Sequence, residues 1–414
     1  MAVLPPSATA TASRLVAARA GRGFADGLVS VLLATYLSGL GFSPFRIGAV
    51  VTATLVGSAA LTLWTGLVTH RLHVRTVLLG ASALMLGTGV GFAVVQTFWP
   101  IVLIAVVGTL NPSGGDVSVF LPVEQALLAG EVDDAERPQL YAAYNLAGAL
   151  AAAFGALCSG VPEVLARSQH WDLTSTQRLG FAVYGLVAVA VGFVYRGLDR
   201  PEPVAGEVPL ARPARRRALE QSRRTVLELA ALFSLDSAGS GFVVQSLLVV
   251  WLHLRFDLSA AATGSVFFAA GLLAAASQLL AGPLSRRIGL VRTMVVTHLP
   301  ANALVVLAAF APSAGAAVVV LLLRALLSQM DVPARQAFVM AVVPPEERQA
   351  AAGVTNVPRS LASATTPLLA GLLLARTDFG WPLLIAGAMK IAYDLLLLAL
   401  YRDVAAEAGA ARRR

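Results

Sequence analysis

One long segment of this chain occurs twice. Residues 122–160 read PVEQALLAGEVDDAERPQLYAAYNLAGALAAAFGALCSG, and residues 333–371 read PARQAFVMAVVPPEERQAAAGVTNVPRSLASATTPLLAG. Laid together without a gap, Pro122 meets Pro333, Gln125 meets Gln336, and Glu136-Arg137 meets Glu347-Arg348. Asn145 likewise meets Asn356, and Gly160 meets Gly371. A second stretch, GLVTHRLHVRTVLL from Gly66, agrees with GPLSRRIGLVRTMVV from Gly282 at nearly the same offset. A repeat on this scale restricts the chain to architectures made of two similar halves.

The solvent for those halves follows from composition. Hydrophobic residues make up 57%, charged residues 13%, and mean hydropathy is +0.75, outside the balance of a soluble domain. Apolar stretches of roughly twenty residues recur along the chain, each long enough to cross about 30 Å of hydrocarbon as a helix. Twelve spans are predicted, at 21–42, 47–68, 76–96, 98–126, 139–163, 179–197, 225–252, 260–281, 291–311, 315–342, 352–375 and 381–401. The short alternating segments of a membrane barrel are absent. The fold class expected is an all-α membrane protein with two pseudo-symmetric six-helix bundles. It divides into residues 1–197, a basic linker 198–224, residues 225–401 and a tail 402–414.

The N-terminal twenty residues carry Arg14 and Arg19 but no apolar core of the signal-peptide kind. Cys158, the single cysteine, falls in span five, which excludes an intrachain disulfide. Metal-ligand clusters, phosphate-binding glycine loops and nucleophile elbows are not recognised, so neither an enzyme nor a resident cofactor is expected. A net charge of +8 does not point to nucleic acid here, because the basic residues lie mostly in loops on alternate sides of the spans. With the N-terminus cytoplasmic, about 22 Lys/Arg fall in cytoplasmic segments. Arg46, Arg167, Arg178, Arg255 and Arg376 then lie outside. Both termini are therefore expected in the cytoplasm, and the linker, with Arg212, Arg215, Arg216, Arg217, Arg223 and Arg224, along the anionic inner leaflet of a plasma membrane.

Twelve spans in two halves joined by a long basic loop resemble the major facilitator superfamily over essentially the whole chain. Gly66–Arg75 and Gly282–Gly289, with Arg292 beyond, are similar to its loop after the second span of each half. His70 and Arg286 stand where the family usually has an acidic residue, and His73 replaces a glycine. The resemblance implies two halves rocking about a central site, with spans one, four, seven and ten innermost. It also implies gating roles for Arg71, Arg75, Arg286 and Arg287, against anchoring to lipid headgroups as the alternative. For His70 the alternatives are a pH-sensitive gate and a solvated side chain.

Charges inside spans are costly and call for a function or a partner. Asp26 lies in span one, Asp116 in span four, Asp236 in span seven, and Arg324 with Asp331 in span ten. Those acidic residues all fall on the four helices that the resemblance places innermost. Asp116 follows Asn111-Pro112-Ser113-Gly114-Gly115, a run expected to break its helix and free backbone carbonyls for a substrate or proton. Arg324 and Asp331, seven residues apart on one predicted helix, share a face and are able to satisfy each other. Asp236 sits among small residues that suit ligand approach or tight packing. Arg359, Asn145 and Asn356 complete the candidate set. Lys390 and Asp394, one turn apart in span twelve, are expected to pair within that helix.

These features imply a monomeric secondary transporter of a small organic solute, working by alternating access, proton-coupled, with efflux favoured. Its partners are the solute, protons and membrane lipids, with no nucleic acid. An uptake symporter of the same fold and a non-transporting sensor or scaffold are the alternatives.

Overall fold

A computed structural model describes residues 4–68, 73–113, 119–133, 136–198, 219 and 222–411. Those residues form sixteen α-helices and one 3-10 turn, without a strand among them. The first run comprises α1 (Ala10–Gly39), α2 (Pro44–Val68), α3 (Val74–Val94), α4 (Phe98–Val107), α5 (Phe120–Leu128), α6 (Arg137–Cys158), α7 (Val161–Gln169) and α8 (Leu173–Arg196). The second comprises α9 (Arg223–Phe242), α10 (Gln245–Phe256), α11 (Ala260–Ile288), α12 (Leu290–Ala309), α13 (Ala314–Leu327), α14 (Asp331–Val342), α15 (Arg348–Leu374) and α16 (Trp381–Ala411).

Each of the twelve predicted spans falls on one helix or on a broken pair. Spans four, five, seven and ten are the pairs α4/α5, α6/α7, α9/α10 and α13/α14. By length and composition alone, seven helical segments suffice to cross a membrane, or eight if α9 and α10 are taken as one bent span. The shortfall from twelve has local causes. Helix α1 carries Arg14, Arg19, Arg22 and Asp26, while α4 and α13 are apolar but short. Helix α1 also starts well before the predicted span, at Ala10, where the Thr9 hydroxyl accepts from Ala12 N at 3.2 Å. Helix α11 runs on through Pro283 to Ile288, so the loop expected from Gly282 is helical up to that point.

The helices group into two compact units. One contains Met1–Leu210 with Val244–Gly271, and the other contains Ala211–Val243 with Leu272–Arg414. Inside the first, glycines let α1 and α6 touch backbone to backbone. A Cβ added at Gly27 would overlap the carbonyl of Ala152, and one at Gly155 would overlap that of Phe24. Small residues one turn apart, Gly23 and Gly27 facing Gly148 and Ala152, are how helices approach closely without a hydrophobic drive from water. In the second unit Gly241 of α9 lies equally close to Ser363 and Thr366 of α15.

The sequence repeat has a local counterpart in each unit. Helices α5 and α14 begin at matching positions of the repeat, and so do α6 and α15. The matched glutamates do the same work. Glu136 accepts from Ser7 N at 3.1 Å and Ser7 Oγ at 2.6 Å, just before α1. Glu347 accepts from Ser222 N at 3.0 Å and from Ser222 Oγ, just before α9. Each carboxylate thus fixes the start of the first helix of its unit.

The glycine contact gives a direct test. Gly27→Leu should force α1 from α6 and cost at least about 1–3 kcal/mol, the usual range for overpacking. Gly80→Ala in α3, where an added Cβ meets nothing within 4 Å, should be neutral or slightly stabilising. Thermal unfolding in detergent, read by monodispersity on size exclusion, separates the two.

Candidate functional site

In each unit several helices converge on a buried carboxylate. In the first unit it is Glu124 on α5, fully shielded from solvent. Its Oε2 accepts from Arg22 of α1 and from Tyr144 Oη of α6, and its Oε1 accepts from Tyr195 Oη of α8 at 2.5 Å. The Arg22 guanidinium lies 4.4 Å from the centre of the Phe120 ring, which covers its face. Four helices meet at one side chain. Its partners are an always-charged guanidinium and two phenols, so the charge is balanced by groups that keep their protons near neutral pH.

In the second unit the carboxylate is Asp236 on α9. Its Oδ1 accepts from Lys390 Nζ of α16 at 2.7 Å, and its Oδ2 accepts from Arg335 of α14 at 3.2 Å. Asp331 supplies a second anion to Arg335 at 3.4 Å, one turn away in α14. His298 of α12 places Nε2 3.7 Å from Asp236 Oδ1 and Nδ1 2.9 Å from Asp394 Oδ1 of α16. Asn302, one turn along α12, donates to Asp394 Oδ2 at 2.9 Å. Arg359 of α15 donates through Nε to Ser237 Oγ at 2.9 Å, beside Asp236. Asp236, Asp331, Asp394, Arg335, Lys390 and His298 are all buried. The network therefore links α9, α12, α14 and α16 through groups of opposite charge, as buried ions require.

The sequence-derived candidates separate accordingly. Asp236, Asp331 and Arg359 lie in this one region of the second unit. Asp26 is buried about midway along α1. Asn145 and Asn356 are exposed within their units. Arg75 is half-buried in the first turn of α3, and Arg287 is exposed in the last turn of α11. Asp116, His70 and Arg71 lie outside the described residues, as does the side chain of Arg286.

Two predicted pairings are corrected. Arg324 and Asp331 do not share a helix, because α13 stops at Leu327 and α14 starts at Asp331. Asp331 pairs with Arg335, while Arg324 ends α13, where a cation suits the free carbonyls. Lys390 and Asp394 are one turn apart, yet they turn to different partners, Asp236 and His298. Sequence reading passed over Glu124, Arg22, Arg335 and His298. The repeat carried one signal for them, since it sets Glu124 opposite Arg335.

The predicted break in span four is present. Helix α4 ends at Val107, and Asn111 Oδ1 accepts from Ser113 N at 3.1 Å and Ser113 Oγ at 2.6 Å. The carbonyl of Pro112 is taken up by Ser246, from its N at 3.2 Å and its Oγ at 3.1 Å. Freed backbone groups at membrane depth are tolerated where the protein itself satisfies them.

The Major Facilitator Superfamily model matches residues 15–328 and 229–414. The chain belongs to this superfamily. A related chain, an uncharacterized membrane protein of Saccharomyces cerevisiae, is 26% identical over 411 residues, covering 92% of each sequence. Among solved structures, a D-xylose-proton symporter superposes with a TM-score of 0.72 at 15% identity, over 93% of this chain and 97% of that one. The nucleoside transporter NupG superposes with a TM-score of 0.68 at 14% identity, over 95% and 99%. At such identities the likeness is one of superfamily fold. The superfamily's membrane helices and its transporters identify this chain as a transporter-type membrane protein rather than an enzyme.

The first-unit bridge yields a stability prediction. Glu124→Gln removes the anion that accepts from Arg22, Tyr144 and Tyr195 and should cost about 3–5 kcal/mol, as for other broken buried pairs. Arg22→Met together with Glu124→Leu should recover much of that loss. Unfolding midpoints of the three variants in detergent test this, and a fully stable Glu124→Gln protein would deny the bridge structural weight.

Proposed function

We propose that this superfamily member is a secondary active transporter that moves a small organic solute by alternating access and exchanges it for protons, exporting the solute. The observation that supports this best is the Asp236 cluster. It holds three carboxylates, a lysine, an arginine and a histidine in the interior of one helical unit. Buried ionisable groups at membrane depth are expensive, and transporters keep them for moving ions and solutes. The break after α4 supports the same reading, because discontinuous helices expose the backbone groups that hold solutes in transporters. The similar D-xylose-proton symporter carries proton coupling in its name, and coupling of this kind is what the cluster's histidine and carboxylates can supply.

The positive-inside bias supports both termini on the cytoplasmic side. Ser7–Glu136 and Ser222–Glu347 then fix the cytoplasmic ends of α1 and α9. The protein works in this reading as a monomer among membrane lipids. Asp26, Asp116, Asp236, Asp331, Arg324, Arg359, Asn145 and Asn356 serve solute or proton, and Arg71, Arg75, Arg286, Arg287 and His70 serve the gate.

Purified protein in liposomes tests the reading with a labelled panel of pentoses, nucleosides, organic acids and amines. Exchange against unlabelled solute finds what is carried. A liposome interior more acidic than the medium should then drive uphill accumulation of that solute, and a protonophore should abolish it. Accumulation driven instead by an acidic exterior would assign symport. Exchange that ignores both gradients would remove proton coupling.

A further inference from the structure

One buried anion of the second unit has no fixed cation among its described partners. Asp236 has Lys390 on one oxygen and Arg335 on the other, and Asp331 shares Arg335. Asp394 differs. Among the described residues its partners are the neutral amide of Asn302 and the imidazole of His298. With Asp394 ionised and His298 neutral, a fully buried carboxylate would stand without compensating charge, a costly arrangement in a membrane interior. A proton held on the carboxyl or on the imidazole would remove that cost.

The geometry points to His298–Asp394 as the site that carries the coupling proton, with Asp236 and Lys390 as the groups that sense it. This inference rests on the proton-coupled reading above. The step balances simply. A neutral His298 whose Nδ1–H donates to Asp394 presents the Nε2 lone pair toward Asp236 Oδ1, 3.7 Å away. A proton from the aqueous phase adds to Nε2, with no other bond broken, and the resulting imidazolium bridges Asp394 and Asp236. Its new N–H then competes with Lys390 Nζ for the same Asp236 oxygen. Loss of the proton restores Lys390 to that oxygen. The other charged or titratable groups around the pair include, among the described residues, Arg335, Asp331, Arg359 and Tyr393, whose ring meets that of His298 edge-on with centres 5.9 Å apart. Arg335 keeps its charge, Asp331 stays paired with it, and Arg359 is held at Ser237. In the first unit Glu124 is met, among the described residues, by an arginine and two phenols.

Two measurements test the proposal. The first needs no solute. Nitrogen-15 histidine labelling of the full chain in micelles follows its five histidines from acid to alkaline pH, and His298→Gln identifies the signal of His298. That signal should titrate apart from the others, and Asp394→Asn should move its midpoint. A His298 signal unaffected by Asp394→Asn would overturn the pairing. The second uses the solute that the liposome panel finds. His298→Gln should keep solute exchange near the parental rate, which also certifies its fold, while pH-driven accumulation falls by about tenfold or more, within the usual span of coupling between sites. Accumulation undiminished in His298→Gln would overturn the proposal with the transport reading intact. A parental protein that exchanges solute but accumulates none would instead overturn the reading on which the proposal rests.

Discussion

A carboxylate inside a membrane-spanning bundle cannot be left alone, and in this protein one such group in each unit determines which helices meet. Glu124 draws α1, α6 and α8 onto α5. Asp236 draws α14 and α16 onto α9, with the α12 histidine alongside. Apolar packing between such helices is weakly directional, since lipid competes equally well for apolar surface. The polar contacts supply the direction, and glycines on α1 and α9 let the backbones come near enough for the remaining side chains to reach.

The two units solve the same electrostatic problem with opposite placement of charge. In the first, the cation lies on α1 and the anion on α5. In the second, the anion lies on α9 and the cation on α14, at the repeat position that Glu124 occupies in the first. Duplication therefore preserved the contact while exchanging its ends. What the second unit adds is a histidine and a further aspartate, His298 and Asp394, 2.9 Å apart. Around Glu124 the partners among the described residues are Tyr144, Tyr195 and Arg22.

Much of the architecture was readable from the residues, because span length and repeat spacing are properties of the chain itself. The break in span four was readable for the same reason, since the Asn111-Pro112-Ser113 run acts locally. The site was less legible. Spacing along one helix suggested Lys390 with Asp394 and Arg324 with Asp331, but it cannot say which neighbouring helix lies opposite or how each is rotated. Lys390 reaches across to Asp236, and the interruption at 328–330 removes Arg324 from the face of Asp331. His298 gave no signal in isolation, being one histidine in an apolar span. Its meaning comes from α16, which brings Asp394 to it from nearly a hundred residues away.

On the reading proposed above, solute movement and proton movement are one process. The most direct measurement loads liposomes with a pH-sensitive dye, sets the pH equal on both sides, and applies a downhill gradient of a transported solute. Inward solute flux should carry protons outward and turn the interior alkaline, stopping when the solute gradient is spent. Solute influx at an unchanged internal pH would contradict it.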